Sequence, residues 1–138
     1  MTPGMLIKII IESTQSNVRI VENAIDMITN EIGIKQENYG KILVSTLEAV
    51  NNAIIHGNNL NPKKFVEISI KFNKNQIFVR VKDEGPGFKP EEVSDPTIPE
   101  NIEAVNGRGV FLMSRLADKI TFNKKGNTVT MIFKNIIS

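Results

Sequence analysis

The chain has 138 residues, of which 41% are hydrophobic and 23% are charged, and its formal net charge is +2. This length suits one domain with a sizeable core, so we expect a single domain over residues 1–138. The small net charge, with no basic run interleaved with aromatic residues, argues against direct binding of nucleic acid. The absence of cysteine excludes disulfides and thiolate metal sites.

The N-terminal segment carries an apolar run of only about six residues, which is too short to cross a membrane. It also lacks the basic lead and the small-residue cleavage site of a signal peptide. We therefore expect a cytoplasmic protein that does not associate with membranes.

Two amphipathic helices are predicted after a first strand. β-Branched residues predict a strand over 5–12. Apolar residues at helical spacing predict one helix over about 16–32, with Gly33 as its C-terminal cap, and a second over about 36–57, ending at Gly57. Three hydroxyl side chains are candidate N-caps of the first helix: Ser13, Thr14 and Ser16.

The second half of the chain contains two predicted hairpins. Apolar and polar residues alternate over 66–72 and again over 77–82, which indicates an antiparallel hairpin with one buried face. A short helix is predicted after residue 109, and a closing hairpin over about 120–133. This order of elements predicts an α+β fold, a two-layer sandwich with helices on one face of a mixed, mostly antiparallel sheet.

A long connection, residues 83–109, separates the two hairpins. It contains four of the six prolines and four of the nine glycines in the chain. Connections of this length with little regular structure usually serve as lids or binding loops. We interpret this one as a nucleotide lid hinged on two glycine turns.

Asp83 is the most informative residue of this connection. It has the parity of Ile77, Val79 and Val81, so the pleat of the strand directs it toward the core. A buried carboxylate needs hydrogen-bond donors. It could simply cap the turn at Glu84, or it could accept a hydrogen bond from a ligand such as the exocyclic amine of adenine. Taken alone, the first interpretation is at least as well supported.

The second helix carries a polar strip of Glu48, Asn52 and His56, each four residues from the next. A carboxylate and an amide at this spacing can position a nucleophile and contribute to an oxygen-ligated Mg²⁺ site. An exposed polar strip is the simpler interpretation of this spacing alone. His56 is the only histidine, which makes a zinc site improbable, and we expect it to hydrogen-bond near the end of the helix.

Two further segments could contact a ligand. Gly107-Arg108-Gly109 opens a helix, where free N–H groups suit a phosphate, although a flexible loop end is the ordinary alternative. Thr128 could hydrogen-bond a ligand, although a strand threonine is usually structural. The chain has neither a P-loop nor a Rossmann glycine fingerprint.

Taken in order, these segments resemble a known family. Glu48–Gly57, Asp83–Phe88 and Gly107–Met113 resemble the N, G1 and G2 boxes of the GHKL (Bergerat-fold) ATPases, and Gly126–Thr128 looks like the last box. Within that superfamily the chain is most similar to the anti-sigma factor serine/threonine kinases of bacterial partner-switching systems. The similarity covers nearly the whole chain.

The resemblance implies a role for each matching position. Glu48 would be the general base and Asn52 the Mg²⁺ ligand, while Asp83 would accept from the adenine amine. Residues 88–106 would form the ATP lid. Arg108 occupies the variable position between two glycines, so contact with phosphate or with solvent stays open. The residues implied to contact the nucleotide or its metal are Asn52, His56, Asp83, Gly85, Gly87, Phe88, Gly107, Arg108, Gly109, Val110 and Thr128.

The resemblance also implies an activity and partners. The protein would bind ATP and Mg²⁺, phosphorylate a serine or threonine of an anti-anti-sigma (STAS-type) protein, and sequester a sigma factor. Relatives commonly form homodimers, and Arg19 lies where members of the family use an arginine in partner contacts. One alternative is a non-catalytic ATP-binding module. Another is a histidine kinase catalytic domain, which we disfavour because no phosphoacceptor helix precedes the domain and His56 lies inside the nucleotide motif.

Overall fold

A computed structural model of the protein describes residues 6–86 and 107–137. The strands are β1 (Leu6–Glu12), β2 (Phe65–Asn73), β3 (Gln76–Lys82), β4 (Lys119–Phe122) and β5 (Thr128–Lys134). The helices are α1 (Val18–Ile32), α2 (Gln36–Asn52) and α3 (Gly107–Leu116), with a 3₁₀ turn (Gln15–Asn17) before α1 and a π-helical turn (Ala53–Gly57) after α2. None of the helices in the described ranges has both the length and the apolar character that crossing a membrane requires.

The strands form one five-stranded sheet in the order β1-β2-β3-β5-β4, and every neighbouring pair is antiparallel. The alternation predicted for β2 and β3 is confirmed, because Val66, Ile68 and Ile70 are buried while the residues between them are not. The buried strand residues join those of the helices in one hydrophobic core. The predicted α+β class is therefore confirmed.

The start of α1 differs from the prediction. Neither Thr14, which precedes the 3₁₀ turn, nor Asn17, which precedes α1, makes a side-chain capping hydrogen bond. Ser13 is buried, and its hydroxyl donates to the carbonyl of Lys64 at 2.7 Å. The hydroxyl-cap prediction is wrong because a long-range contact uses Ser13 and a 3₁₀ turn opens the helix. The predicted C-terminal cap of α1 is confirmed, since Gly33 adopts φ +73° and its N–H donates to the carbonyl of Thr29.

Helix α2 itself ends at Asn52, and a wider, π-helical turn over Ala53–Gly57 continues it to the predicted end at Gly57. The N–H of Asn58 donates to the carbonyl of Ala53 at 2.8 Å, five residues back. One extra residue in a turn changes the direction of the side chains that follow. Such turns often occur at functional sites, and this one directs the chain toward the end of β3.

Burial in the core predicts that substitutions of two isoleucines on neighbouring strands have different effects on stability. Ile70 of β2 is 1% exposed, whereas Ile10 of β1 is 61% exposed. We expect Ile70→Ala to lower the free energy of unfolding by about 2–5 kcal/mol, because it removes buried methylene groups and leaves a cavity. Ile10→Ala should change it by less than about 0.5 kcal/mol. Urea unfolding measures both, and similar losses for the two variants would contradict this description of the core.

Candidate nucleotide site

A cavity of about 90 Å³ lies between α2, α3 and the ends of β3 and β5. Its apolar lining includes Val81 and Met113, one from the sheet and one from α3. Small residues of α2 and its π-helical turn, Ala49 and Ala53, leave room on the helix side. Five polar side chains also line it: Asn52, His56, Asp83, Asn127 and Thr128. A mostly apolar hollow with a few polar groups is typical of a small-molecule site.

Asp83 lies just beyond β3 and lines this cavity, on the side that the parity of the strand predicts. Its Oδ1 accepts the N–H of Gly85 at 2.8 Å, so it also caps the turn, which was the simpler interpretation. Within the described ranges, no donor is hydrogen-bonded to Oδ2. The predicted turn cap is therefore confirmed, and Asp83 also lines the cavity, while a hydrogen bond from a ligand to this carboxylate stays a prediction.

The surroundings of Asp83 disfavour its charge. Burial raises the pKa of this carboxyl above its ordinary value of 3.8, while the Gly85 N–H and the more distant Lys125 and Lys64 oppose the shift. Perturbed carboxyl groups in apolar hollows often mark functional sites. Burial therefore makes the charged form of Asp83 less favourable in the folded protein than in the unfolded chain.

Two glycines pack against this carboxylate. A Cβ on Gly57 would overlap the carboxyl group of Asp83, and a Cβ on Gly85 would overlap the carbonyl oxygen of Gly57. The π-helical turn and the turn after β3 are therefore in direct backbone contact. A side chain at residue 57 would displace the Asp83 carboxyl group, and one at residue 85 would displace the backbone of Gly57.

The polar strip of α2 is only partly directed into the cavity. Asn52 lines the wall, whereas the half-buried Glu48 lies one turn earlier and is not among the lining residues. His56 is exposed at the rim. The hydrogen bond expected for His56 is not present among the residues that the structure describes. The structure thus brings Asn52, His56 and Asp83 together, and their roles stay predictions.

Helix α3 approaches Asn52 closely because residue 109 is a glycine. A Cβ on Gly109 would lie 2.5 Å from Nδ2 of Asn52 and 3.3 Å from its Cγ and Oδ1. Val110, the next residue, lines the cavity. The start of α3 and the amide of Asn52 are therefore in close contact.

We expect Gly109→Ala to displace the amide of Asn52 with little change in the stability of the fold. Alanine favours the helix by about 0.5–1 kcal/mol over glycine, so we expect little loss of thermal stability. The new methyl group must displace the Asn52 amide, so the enhancement of ATP affinity by Mg²⁺ should fall at least about threefold, which corresponds to ~0.7 kcal/mol. Titrations of ATP with and without Mg²⁺ measure this. An unchanged enhancement would show that Asn52 does not act on the metal.

The loop between β4 and β5 forms the remaining wall. Thr128 is 8% exposed, and its hydroxyl donates to Oδ1 of Asn127 at 3.2 Å. Oδ1 of Asn123 accepts the N–H groups of Gly126, Asn127 and Thr128 at 2.8, 3.0 and 3.1 Å. Asn127 and Asn123 were missed from the sequence. The signal that could have found them is the side-chain turn chemistry of an asparagine three residues before a glycine.

The other predicted site residues fall at the edge of the described ranges or beyond it. Gly107 opens α3, as predicted. Gly87, Phe88 and the predicted lid over 88–106 lie outside the described residues, as does the side chain of Arg108. Their predicted roles are therefore not tested by the geometry.

Comparison with known proteins decides the family. Residues 11–133 match the histidine kinase-like ATPase domain. The chain belongs to this family. The match extends from the end of β1 through most of β5, so it includes every wall of the cavity. The resemblance to the GHKL ATPases is thus confirmed. The cavity lies within the part of the chain that matches the ATPase domain.

Several curated relatives of this chain are named anti-sigma F factor. The chain is 33% identical over 88 residues to the anti-sigma F factor of Geobacillus stearothermophilus, and 31% identical over 87 residues to that of Bacillus subtilis. Each match covers 62% of this chain and 60% of the relative, so it spans less than two thirds of those proteins.

A solved structure supports the fold over nearly the full chain. The crystal structure of the RsbU and RsbW domains of a Mycobacterium tuberculosis protein matches with a TM-score of 0.67 and 16% identity. The match covers 96% of this chain and 32% of that one. At this identity, the likeness establishes a shared fold.

Proposed function

We propose that this ATPase domain is an anti-sigma regulator with serine/threonine protein kinase activity. It would phosphorylate an anti-anti-sigma (STAS-type) protein and sequester a sigma factor. The observation that carries the nucleotide part is Asp83, a partly buried carboxyl group that lines a mostly apolar cavity and has a raised pKa. The names of the curated relatives support the regulatory part.

Adenine would occupy the cavity. Its exocyclic amine would donate to Oδ2 of Asp83, an oxygen to which no residue in 6–86 or 107–137 donates, and so would give this partly buried acceptor a partner. Thr128 and Asn127 offer further polar atoms on the same wall. Phosphates would extend toward the start of α3, where helix N–H groups attract negative charge and glycine allows close approach.

The residues present fit a single Mg²⁺ ion held mainly by the nucleotide. In residues 6–86 and 107–137 there is no cluster of three or more His, Cys, Asp or Glu side chains that could hold a metal. Mg²⁺ in nucleotide sites commonly takes one or two protein ligands and completes its shell with phosphate and water, so the amide oxygen of Asn52 is sufficient. When bound, the ion would neutralise charge on the phosphates.

The phosphoryl transfer requires little covalent help from the protein. The hydroxyl oxygen of a partner serine or threonine would form a bond to the γ-phosphorus, and the bond from that phosphorus to the β,γ-bridging oxygen would break, which releases ADP. Glu48 would accept the hydroxyl proton. Its place one turn from Asn52, outside the base cavity, suits a group that acts on the partner rather than on the base.

One observation favours a second candidate function. The curated relatives are named for anti-sigma action and not for kinase activity, which suits a domain that only sequesters partners and binds ATP as a regulatory ligand. In that case, nucleotide binding would depend on Asp83 and partner binding on exposed residues such as Arg19 of α1. The homodimer also stays a prediction.

Incubation of the native protein with ATP, Mg²⁺ and a STAS-type protein from the same organism tests the proposal. We expect transfer of the γ-phosphate to one serine or threonine of that partner, identified by mass spectrometry. Intact ATP binding and partner binding without transfer would favour the non-catalytic module. Failure to bind ATP at all would overturn both candidates.

A further inference from the structure

A buried asparagine connects the turn that carries Asp83 to the rest of the sheet. The side chain of Asn58 is 0% exposed, although it lies between two loops. Its Oδ1 accepts the N–H of Glu84 at 2.8 Å, and its Nδ2 donates to the carbonyl of Phe65 at 3.0 Å and to the hydroxyl of Ser13 at 2.8 Å. A buried amide needs such partners, because an unpaired one would lose its hydrogen bonds to water.

A second contact closes this network into a ring. The carboxylate of Glu84 accepts the N–H of Phe65, the residue whose carbonyl accepts from Asn58. We call these contacts among Asn58, Phe65 and Glu84 the Asn58 bridge. It fixes the turn after β3 to the first residue of β2, which pairs with Glu12 at the end of β1.

The bridge adjoins the hydrogen bonds that hold Asp83 on both sides. On its N-terminal side, the Asp83 N–H donates to the carbonyl of Asn127 at 2.9 Å. On its C-terminal side, the next N–H is the one that Asn58 accepts, and the following one, of Gly85, donates to Oδ1 of Asp83. If Asn58 released Glu84, the turn could rotate and the Gly85 N–H would no longer fix the carboxylate.

We propose that Asn58 is a positioning residue for recognition of the base. It holds the turn over Glu84 and Gly85 so that one oxygen of Asp83 stays bound to Gly85 and the other is left for the base. The inference rests on the proposed function, in which that second oxygen accepts from the adenine amine. Asn58 itself does not line the cavity, so its effect on the nucleotide is transmitted through Asp83.

Relative affinity for ATP and inosine triphosphate, both with Mg²⁺, tests this inference. Inosine carries an oxygen where adenine carries the amine, so the ratio of the two dissociation constants reports contact with Asp83. We expect the native protein to prefer ATP. Asn58→Ala should weaken ATP binding about tenfold and bring the ratio toward one, because the recognition hydrogen bond loses its geometry. A purely structural loss would weaken both nucleotides equally and leave the ratio unchanged.

Ser13→Ala is the matched control. It removes one hydrogen bond of the same buried amide but none to the turn, so we expect lower stability and a native ratio. If Asn58→Ala fails to fold, Glu84→Ala decides, because it breaks the other side of the bridge at an exposed residue. Glu84→Gln keeps an acceptor and should keep the ratio.

The outcomes separate this inference from the proposed function. The inference is overturned if folded Asn58→Ala keeps the native ratio of the two dissociation constants. If Asn58→Ala does not fold, a native ratio in Glu84→Ala overturns it. The proposed function would still stand if Asp83→Asn abolished the preference for ATP. A native protein that binds ATP and inosine triphosphate equally would overturn both.

Discussion

Glu48→Gln is expected to reduce phosphoryl transfer to the partner by about 10²–10⁴-fold, the range for loss of a general base. Glutamine has nearly the same shape but cannot accept the hydroxyl proton. Because Glu48 is half-buried and lies outside the cavity lining, the affinity for ATP should stay within about twofold of the native value. The free energy of unfolding should change by no more than about 0.5 kcal/mol.

Single-turnover transfer assays and calorimetric titration of ATP measure the two effects separately. Glu37→Gln is the matched control, since Glu37 is an exposed glutamate in the first turn of the same helix. It should leave both quantities unchanged. Transfer at the native rate by Glu48→Gln would remove Glu48 from the chemistry. A loss of ATP affinity equal to the loss of rate would instead indicate that Glu48 binds the nucleotide.

Asp83→Asn is expected to weaken ATP binding by about 10–100-fold, which corresponds to losing a hydrogen bond to a charged acceptor, about 1.5–3 kcal/mol. The amide can still accept from Gly85 through its oxygen, but it then presents an NH₂ group to the adenine amine. The free energy of unfolding at pH 7 should not decrease, because the substitution removes a carboxylate whose burial raises its pKa. A binding residue would thus be lost without a loss of stability.

The pH dependence follows from the same shift. Because the pKa of Asp83 is higher in the folded protein, its proton stabilises the fold at low pH. That contribution is lost as the pH rises through the raised pKa. Affinity for ATP should change in the opposite sense. As the pH is lowered, the carboxylate becomes protonated and affinity should fall, and this fall should begin at a pH above the ordinary pKa of 3.8.

Calorimetric titration of ATP across this range, beside urea unfolding, checks both trends. Asp83→Asn should abolish the dependence assigned to Asp83. Glu84→Gln, the same change at the neighbouring exposed acid, should keep native affinity and native pH dependence. If Asp83→Asn binds ATP as tightly as the native protein, or unfolds more easily at pH 7, the assignment of Asp83 is wrong.

The parts of the fold that the sequence predicted are those set by local patterns. Alternation over β2 and β3 indicated which face is buried, and its parity extended one residue further to Asp83, which the structure directs to the cavity. Gly33 was identified as a cap because a left-handed residue at a helix end favours glycine. These inferences needed only neighbours in the chain.

The parts that could not be predicted depend on contacts between distant residues. Ser13 is a residue type that commonly caps helices, but its hydroxyl donates to the carbonyl of Lys64, 51 residues away. Asn58 resembles an ordinary loop residue until the loop after β3 is placed beside it. The wide turn at the end of α2 likewise has no local signature, and its last residue, Gly57, packs against the distant Asp83.

The most direct measurement of the central claim is a crystal structure of the protein bound to ADP and Mg²⁺. We expect the adenine in the cavity between α2, α3 and β5, with its exocyclic nitrogen at a hydrogen-bond distance of about 2.9 Å from Oδ2 of Asp83. A nucleotide bound elsewhere, or an adenine whose amine has no contact with Asp83, would contradict the account.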